Sequence, residues 1–533
     1  MQTIDLVVIA VYLLGSAWLG LRLSGRQRDI KDYFIGNRQL PWWAVCLSVV
    51  ATETSALTVI SIPGVAYLGN VTFLQVAVGY LIGRVVVAFV LLPRYYRGEM
   101  TTAYAYLGIR FGRGMQGTAS VAFLFTRLLA DGVRLFAAAI PVKIILGSYG
   151  VDLSYFAIIA LLGAVTVLYT FVGGIRAVVW VDVLQMAVYA VGGVAALAVI
   201  AGSLDADFLA VAADAGKTQF LDFTSNPVSA PYATVTAVLG GALLSTASHG
   251  ADQIIVQRLL GCRSLRDAQK AVIGSAVVVF FQFALFLAVG LALYAYYEGA
   301  SVEELGLANS DELFPTFIVE GLPAGLSGLL LAGILAAAMS TLSSSLSALS
   351  SSTMADLYER FSRRTLTDAQ GLRLGRLFTL GWGLVFIGAA AMFTGTDNPV
   401  VELGLSVASL TYGGLLGAFF LGLWVRRARQ LDAIVSFAVA VATMVWLFLF
   451  QPDLVGFTWY TAIGTTIVLG LGYLLSLRHR DAAPRPEEMP GEPSDTGTGE
   501  PSDTGTGEGS GAATGRAPRA EGEPTPADEG ERP

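Results

Sequence analysis

Polar residues lie inside long apolar stretches of this sequence, where they could coordinate a cation or bind a solute. One group is residues 51–55, ATETS, within the run WWAVCLSVVATETSALTVISIPGVAY, and another is residues 245–253, STASHGADQ. Small and hydroxyl residues beside a carboxylate are typical of a helix that breaks and turns its freed carbonyl oxygens toward a cavity. The alternatives are a continuous helix whose threonines bond their own backbone carbonyls, for the first group, and a polar packing seam, for the second.

A third group lies in the run LLLAGILAAAMSTLSSSLSALSSSTMADLYER. At about 100° per residue, five of its positions fall within an arc of roughly 160° on one helix face. They are Ala337, Ser340, Thr341, Ser343 and Ser344. Hard cations such as sodium prefer several oxygen ligands, which hydroxyl groups and freed carbonyls supply. The alternative is a seam of small residues that allows close helix packing.

Charged residues also occur inside apolar runs, where they are costly and mark function. Asp182 lies in VVWVDVLQM and should be paired, protonated or facing an ion. Arg127, Asp131 and Arg134 lie in TRLLADGVRLF. Arg134 could receive a solute carboxylate through its planar fork, although helical spacing equally allows the three residues to neutralise one another.

A membrane-embedded domain must position these residues. Of its 533 residues, 54% are hydrophobic and 14% are charged, and the mean hydropathy is +0.64, which excludes a soluble multidomain protein. Apolar runs that could cross a bilayer core of about 30 Å recur thirteen times. They lie at about 4–23, 42–67, 73–92, 119–146, 153–172, 177–200, 232–259, 271–294, 326–357, 377–393, 400–424, 432–450 and 459–477. We therefore predict an all-α integral membrane protein with about 13 transmembrane helices.

The two interrupted helices are the second and the seventh, five spans apart. This spacing predicts two inverted five-helix repeats, approximately residues 42–200 and 232–424, within a transmembrane domain over residues 1–480. Arginine and lysine concentrate in alternate loops, counting Arg258 at the end of the seventh span, whereas the other loops carry Lys217 and many acidic residues. The positive-inside rule then places the N-terminus outside and the C-terminus inside. Residues 481–533, rich in Pro, Gly, Glu and Thr, are predicted to be a disordered cytoplasmic tail.

Other classes of function find little support in the sequence. The only histidines are His249 and His479, and no nucleophile with a base and an orienting group is evident, so we expect no enzyme. The two cysteines, Cys46 and Cys262, give neither a disulfide framework nor metal-ligand spacing. No cation precedes the first apolar run, which argues against a cleaved signal peptide and for a retained first helix.

Five segments in order resemble the sodium:solute symporter family. They are DYFIGNRQLPWW, ATETSALTVISIPGVAY, LYTFVGGIRAVVWVDVLQ, DQIIVQRLL and GLPAGLSGLLLAGILAAAMSTLSSSLSALSSSTMADLY, which together extend along nearly the whole membrane domain. The resemblance implies a LeuT-like inverted-repeat fold, residence in the plasma membrane as a multi-pass protein, and sodium as the coupling ion. It implies a sodium site formed by Ala51, Thr54, Ala337, Ser340 and Thr341. A second sodium site, found in some members, would correspond to Asp182, Ser340, Ser343 and Ser344.

The resemblance also places a solute pocket beside these sites. Compared with sialic-acid symporters, Ser55, Thr58, Phe73 and Arg134 keep the pocket residue types, whereas Glu53 replaces a threonine and Ala77 a glutamine. An acid at the Glu53 position is similar to the proline symporters. Glu53 and Arg134 could grip the two ends of an amino acid, or they could neutralise each other. Ser248 and His249, at the second interruption, complete the predicted pocket.

We therefore expect a sodium-coupled symporter that imports a small organic solute, an amino acid or an organic carboxylate, by alternating access. Its partners would be the solute and the lipid bilayer, with no nucleic acid, and the sequence does not predict an oligomeric state. One alternative is a transporter of the same fold that couples to protons through Asp182 or Glu53. The other is a sensor that binds solute on a transporter-like domain without moving it.

Overall fold

The computed structural model describes residues 3–479 except for 24, 26, 98–99, 149, 308, 360–361, 363–365, 392–399 and 452–453. The regular secondary structure of this part of the chain is helical, with one isolated bridge between Leu40 and Cys262. The predicted all-α class is therefore confirmed. The predicted tail, residues 481–533, lies outside the described residues.

The long helices and the two halves of each broken helix are labelled α1 to α14. They are α1 (Thr3–Leu23), α2 (Trp42–Glu53), α3 (Ala56–Leu68), α4 (Leu74–Arg97), α5 (Arg113–Ser148), α6 (Tyr155–Ser203), α7 (Thr234–Gly250), α8 (Gln253–Leu260), α9 (Leu265–Tyr296), α10 (Leu326–Ser352), α11 (Asp368–Ala391), α12 (Val400–Trp424), α13 (Gln430–Phe450) and α14 (Tyr460–Ser476). Shorter helices occupy Ile30–Ile35, Ala103–Phe111, Phe208–Asp214 and Leu313–Glu320.

Within the described residues, eight helices are long and apolar enough to cross a membrane, and the bent pair α2–α3 makes a ninth. Over its described residues, each predicted run coincides with one helix, with part of one, or with the two halves of a broken helix. Length and composition alone do not establish thirteen crossings, however, or the side on which each terminus lies. The crossing count and the orientation stay predictions.

Helix α6 contains a kink at Gly174, where φ is 55° and ψ is −153°. Its 49 residues would extend about 70 Å as one straight helix, more than twice the bilayer core. A side chain at this position would be strained, because its Cβ would lie 2.5 Å from the carbonyl oxygen of Tyr33. The kink separates the predicted runs 153–172 and 177–200.

Helix α10, which carries the predicted hydroxyl face, lies at the centre of the fold. All its residues except Leu326 and Leu329 are buried, and it packs against α1, α5 and α6. A helix buried all round must satisfy its polar side chains within the protein. The hydroxyl groups of α10 are therefore positioned by their neighbours.

Candidate ion and solute site

The first predicted helix interruption is present between α2 and α3. The two halves are bent by 64°, and Thr54 and Ser55 take extended conformations with ψ of 102° and 165°. The last helical bond of α2 runs from the Thr54 amide to the Val50 carbonyl, 2.9 Å away. The carbonyls of residues 51–54 thus lie at a helix end, without the amide partners of a continuous helix. The hydroxyl of Thr52 does bond the Ser48 carbonyl, as in the alternative interpretation, but the helix is broken.

The second interruption is narrower than the sequence predicts. Helix α7 runs through Gly250 and α8 begins at Gln253, so the break is confined to residues 251–252. Asp252 caps α8, because its carboxylate accepts a hydrogen bond of 2.9 Å from the Ile254 amide. Ser248 and His249 lie in the last turn of α7 and not in the break, which corrects the placement expected from sequence.

The oxygens of the predicted main sodium site come from the end of α2 and one face of α10. The two elements touch, because the hydroxyls of Thr52 and Ser344 lie 3.0 Å apart. Thr341 donates to the Ala337 carbonyl at 3.1 Å and lines a small cavity together with Ser55. All five predicted ligands are buried: Ala51, Thr54, Ala337, Ser340 and Thr341. Neutral carbonyl and hydroxyl oxygens of this kind suit a hard monovalent cation.

The predicted second sodium site contains an arginine that sequence reasoning missed. Oδ1 of Asp182 accepts a hydrogen bond of 2.8 Å from Ser340, whereas Oδ2 accepts from Ser48 and, at 3.1 Å, from Nη2 of Arg258. Arg258 also donates to the hydroxyl of Ser344. Asp182 was expected to be paired, protonated or facing an ion, and in the structure it is paired. Arg258 is fully buried in α8, so its assignment to a charged loop was wrong.

The solute pocket is a cavity of about 230 Å³ between the two breaks. All seven residues predicted to bind solute line it: Glu53, Ser55, Thr58, Phe73, Arg134, Ser248 and His249. Thr341 lines it too, so the hydroxyl face of α10 reaches the same space. Aromatic rings form one wall, where Phe73 packs edge-on against Tyr232 and Phe283 at centroid distances of 5.5 and 5.2 Å.

Glu53 is paired with an arginine other than the one expected. Its carboxylate accepts a hydrogen bond from Arg84, which is fully buried in α4. Arg84 also donates to the hydroxyl of Ser275 at 2.6 Å, while Nε2 of His249 lies 3.7 Å from Glu53. The structure therefore contradicts neutralisation of Glu53 by Arg134, whereas the hypothesis that the two residues grip one solute stays a prediction. The sequence did contain a signal for this pair, because Arg84 is a lone arginine in the middle of an apolar run.

A second charged cluster joins α5 to the break between α7 and α8. Arg127 donates to Asp252 and to the hydroxyl of Tyr412, and it lies 3.5 Å from Asp131. Asp131 also accepts a hydrogen bond of 3.0 Å from Arg134. The hypothesis that neighbouring charges neutralise one another therefore holds for Arg127, which is buried. Both arginines line the cavity, but the side chain of Arg134 is more exposed, at 17% against 8% for Arg127.

Comparison with known proteins agrees with this architecture. The profile of the sodium:solute symporter family matches residues 33–440. The sodium/sialic acid symporter NanT of Aliivibrio fischeri (strain ATCC 700601 / ES114) is 29% identical over 479 residues, which are 89% of this chain and 92% of NanT. The sodium-coupled monocarboxylate transporter 1 of Homo sapiens is 29% identical over 451 residues, 83% of this chain and 73% of that protein.

A solved structure of a Na⁺-coupled sialic acid symporter in its substrate-bound outward-open state has the same fold. It aligns with a TM-score of 0.81 and 27% identity, over 91% of this chain and 99% of that chain. These relatives are transporters and not enzymes. Their family resides in the plasma membrane as multi-pass proteins, with sodium as the coupling ion. With the profile matching most of the chain, the protein described here belongs to the sodium:solute symporter family.

Proposed function

We propose that this protein imports a small organic carboxylate, either an organic acid or an amino acid, together with sodium. The observation that carries the proposal is the position of Arg134 on the cavity wall. Glu53 and Asp252 each have an arginine of their own, whereas Arg134 shares Asp131 with Arg127. A guanidinium fork on the cavity wall that shares its carboxylate partner with a second arginine is suited to bind the carboxylate of a solute.

The fold supports alternating access around this cavity. The two breaks lie in the first helix of each predicted repeat, residues 42–200 and 232–424, and both border the solute cavity. Discontinuous helices at corresponding positions of two repeats are the arrangement in which such transporters bind their cargo. We propose thirteen crossings with the N-terminus outside, a transporter domain over residues 1–480 and a cytoplasmic tail over residues 481–533.

We propose that sodium binds first between Ala51, Thr54, Ala337, Ser340 and Thr341. Sodium there would join the end of α2 to α10 and fix the wall of the cavity near Ser55. A second ion would bind Asp182, Ser340, Ser343 and Ser344. It would use Oδ1 of Asp182, because Oδ2 already accepts from Arg258. The positive charge of Arg258 so close by makes this second site the weaker one.

The sodium gradient is sufficient to accumulate solute. Each inward sodium ion gains about 2.3 kcal/mol per 100 mV and about 1.4 kcal/mol per tenfold concentration ratio. One ion therefore supports accumulation of several hundred-fold for a zwitterionic solute, and two ions support on the order of 10⁵. Import of a singly charged anion against the membrane potential would use about 2.3 kcal/mol of the sodium free energy per 100 mV.

Sodium coupling fits the structure better than proton coupling. Asp182 and Glu53 are each bonded to a fully buried arginine, Arg258 and Arg84. A proton on either carboxylate would leave that arginine without its counter-charge in a buried site, which is strongly unfavourable. Sodium that binds to the hydroxyl and carbonyl oxygens of the main site leaves both ion pairs intact.

The test is a screen of the purified protein against organic acids, amino acids and sugars, each in sodium and in potassium. A bound ligand raises the unfolding temperature by mass action, and each hit is then assayed for uptake into proteoliposomes. We expect hits among carboxylates only, in sodium only. Uptake driven by acid pH without sodium would favour proton coupling, and binding without uptake would favour a sensor.

A further inference from the structure

His249 carries a buried ring nitrogen that forms no hydrogen bond with the described residues. The residue lies in the last turn of α7, is 1% exposed and lines the solute cavity. Its Nδ1 atom contacts Ser248, but its Nε2 atom has no hydrogen-bond partner in the described part of the chain. A buried polar atom without a partner costs about as much free energy as a lost hydrogen bond. This atom is therefore available to a molecule in the cavity.

The contacts of Ser248 assign the ring hydrogen of His249 to Nε2. Nδ1 of His249 lies 2.8 Å from the hydroxyl oxygen of Ser248. That hydroxyl has a second acceptor, the Ser245 carbonyl, but this oxygen is 3.4 Å away, beyond the usual range of about 2.5–3.0 Å for an O–H···O bond. Ser248 therefore donates its one hydrogen to Nδ1. In a neutral imidazole whose Nδ1 accepts, Nε2 carries the hydrogen and is a donor.

Glu53 places an acceptor beside this donor. Its Oε2 atom lies 3.7 Å from Nε2 of His249, which is too far for a direct hydrogen bond. A carboxylate offers about four acceptor positions, so Glu53 keeps acceptor capacity beside the bond that it receives from Arg84. A single oxygen atom between the two residues could accept from His249 and donate to Glu53. A hydroxyl group has this combination of one hydrogen and free lone pairs.

Other solute groups fit this pair of residues less well. An ammonium group only donates, so it would turn its hydrogens toward the N–H of His249, with the fully buried cation Arg84 on the other side of Glu53. A second carboxylate only accepts, and it would meet the negative charge of Glu53. An apolar group would leave Nε2 of His249 without a partner and would exclude the water that could bridge to Glu53.

We propose that His249 and Glu53 form a hydroxyl subsite and that the solute is a hydroxy carboxylate. The inference rests on the proposed function, which places the solute carboxylate at Arg134. Arg134, Glu53 and His249 all line the same cavity of about 230 Å³, so one small molecule can contact all three. His249 is then a specificity-determining residue, because it distinguishes a hydroxylated organic acid from an amino acid and from an unsubstituted acid.

The test compares solutes that differ in a single group. They are pentanoate, its four isomers with one hydroxyl on the second to the fifth carbon, and norvaline, which carries an amine instead. The isomers place the hydroxyl at different distances from the carboxylate. Each solute is titrated against the purified full-length protein in sodium and in potassium, and the rise in unfolding temperature gives its Kd.

Three variants separate the role of His249 from a general effect on the fold. His249→Leu removes the donor, whereas His249→Gln keeps an amide donor. The matched control is Thr246→Val, at a buried position of the same helix that does not line the cavity and whose hydroxyl donates to the Ala242 carbonyl at 2.7 Å.

We expect at least one hydroxypentanoate to bind about 10–100-fold more tightly than pentanoate and norvaline in sodium, because only a hydroxyl satisfies both His249 and Glu53. His249→Leu should reduce this ratio to about 1, His249→Gln should restore part of it, and Thr246→Val should keep it. A merely structural role of His249 would weaken the binding of all the solutes alike and leave the ratio unchanged.

The outcomes distinguish the hydroxyl subsite from the proposed function. Equal binding of pentanoate and all its hydroxyl isomers, tighter binding of norvaline, or a ratio that persists in His249→Leu would overturn the subsite while carboxylate binding stands. Sugars carry hydroxyls without a carboxylate and give the converse case. If sugars bind with the same dependence on His249 and the pentanoates do not bind, the subsite stands and the carboxylate proposal fails. Binding of neither class would overturn both.

Discussion

Arg84 lies fully buried beside the solute cavity and donates a hydrogen bond to Glu53, whose side chain is 17% exposed to that cavity. The same guanidinium donates to Ser275 of α9 at 2.6 Å and to Ser245 of α7 at 3.4 Å. Arg84 thereby links both broken helices to α9. The acid on the cavity wall is consequently engaged by the protein, which supports the proposal that Arg134 binds the solute.

Removal of one charge of the Glu53–Arg84 pair should lower the stability of the protein more than removal of both charges. Glu53→Gln would leave Arg84 buried without a counter-charge, at a cost of about 3–5 kcal/mol in the free energy of unfolding. The double variant Glu53→Gln with Arg84→Met should recover a large part of that loss. The measurement is denaturant unfolding of the detergent-solubilised protein, with Glu320→Gln, an exposed acid, as control. A double variant as unstable as Glu53→Gln would contradict the pairing.

Arg134→Lys should weaken carboxylate binding while it preserves the charge. Loss of the bidentate fork removes about 1.5–3 kcal/mol, which corresponds to an increase in KM of about 10–100-fold. The measurement is sodium-driven uptake of the carboxylate found in the screen. Arg427→Lys, at an exposed position, should leave KM unchanged. An unchanged KM in Arg134→Lys would mean that the carboxylate binds elsewhere.

The two predicted sodium sites can be separated on α10. Thr341→Ala removes a ligand of the main site and should raise the half-saturating sodium concentration about tenfold. Ser343→Ala affects only the second site and should lower the Hill coefficient for sodium toward about 1. Both are read from uptake rates against sodium concentration, with Ser350→Ala as control. Identical behaviour of all three variants would show that the hydroxyl face serves packing alone.

Gly174→Ala should destabilise the protein through the kink of α6. Its φ of 55° is unfavourable for alanine, and the new Cβ would meet the Tyr33 carbonyl at 2.5 Å. We expect a loss of about 1–3 kcal/mol in the free energy of unfolding. Gly202→Ala in the same helix has no atom within 4 Å of the added Cβ and should be neutral or stabilising. Equal unfolding midpoints for the two variants would mean that the kink does not need glycine.

Features with a strong local signal were predictable from the sequence. The break at Thr54 follows from hydroxyl residues around Glu53 in an apolar run, and the structure has it there. The second break was placed too early, because residues 245–250 are compatible with helix, and α7 continues to Gly250 before Asp252 caps α8. Local composition therefore located the breaks to within a few residues.

The charge pairs were not predictable, because each joins residues far apart in sequence. Glu53 finds Arg84 and Asp182 finds Arg258 only after the helices have packed. Spacing along one helix did reveal Arg127, Asp131 and Arg134, since those neighbours are three and four residues apart. Arg258 was misassigned because a cation at the end of an apolar run is usually in water, whereas α8 is enclosed on all sides.

The buried ion pairs also bear on how the chain enters the membrane during synthesis. An unpaired arginine in the middle of a span opposes insertion by about 2.5–3.5 kcal/mol. Glu53 leaves the ribosome before Arg84, and Asp182 before Arg258, so the carboxylate partner has already been synthesised when each arginine emerges. Arg127 precedes Asp252 but carries Asp131 four residues later on its own helix. The order of residues along the chain thus makes a counter-charge available to each of these arginines as soon as its helix packs.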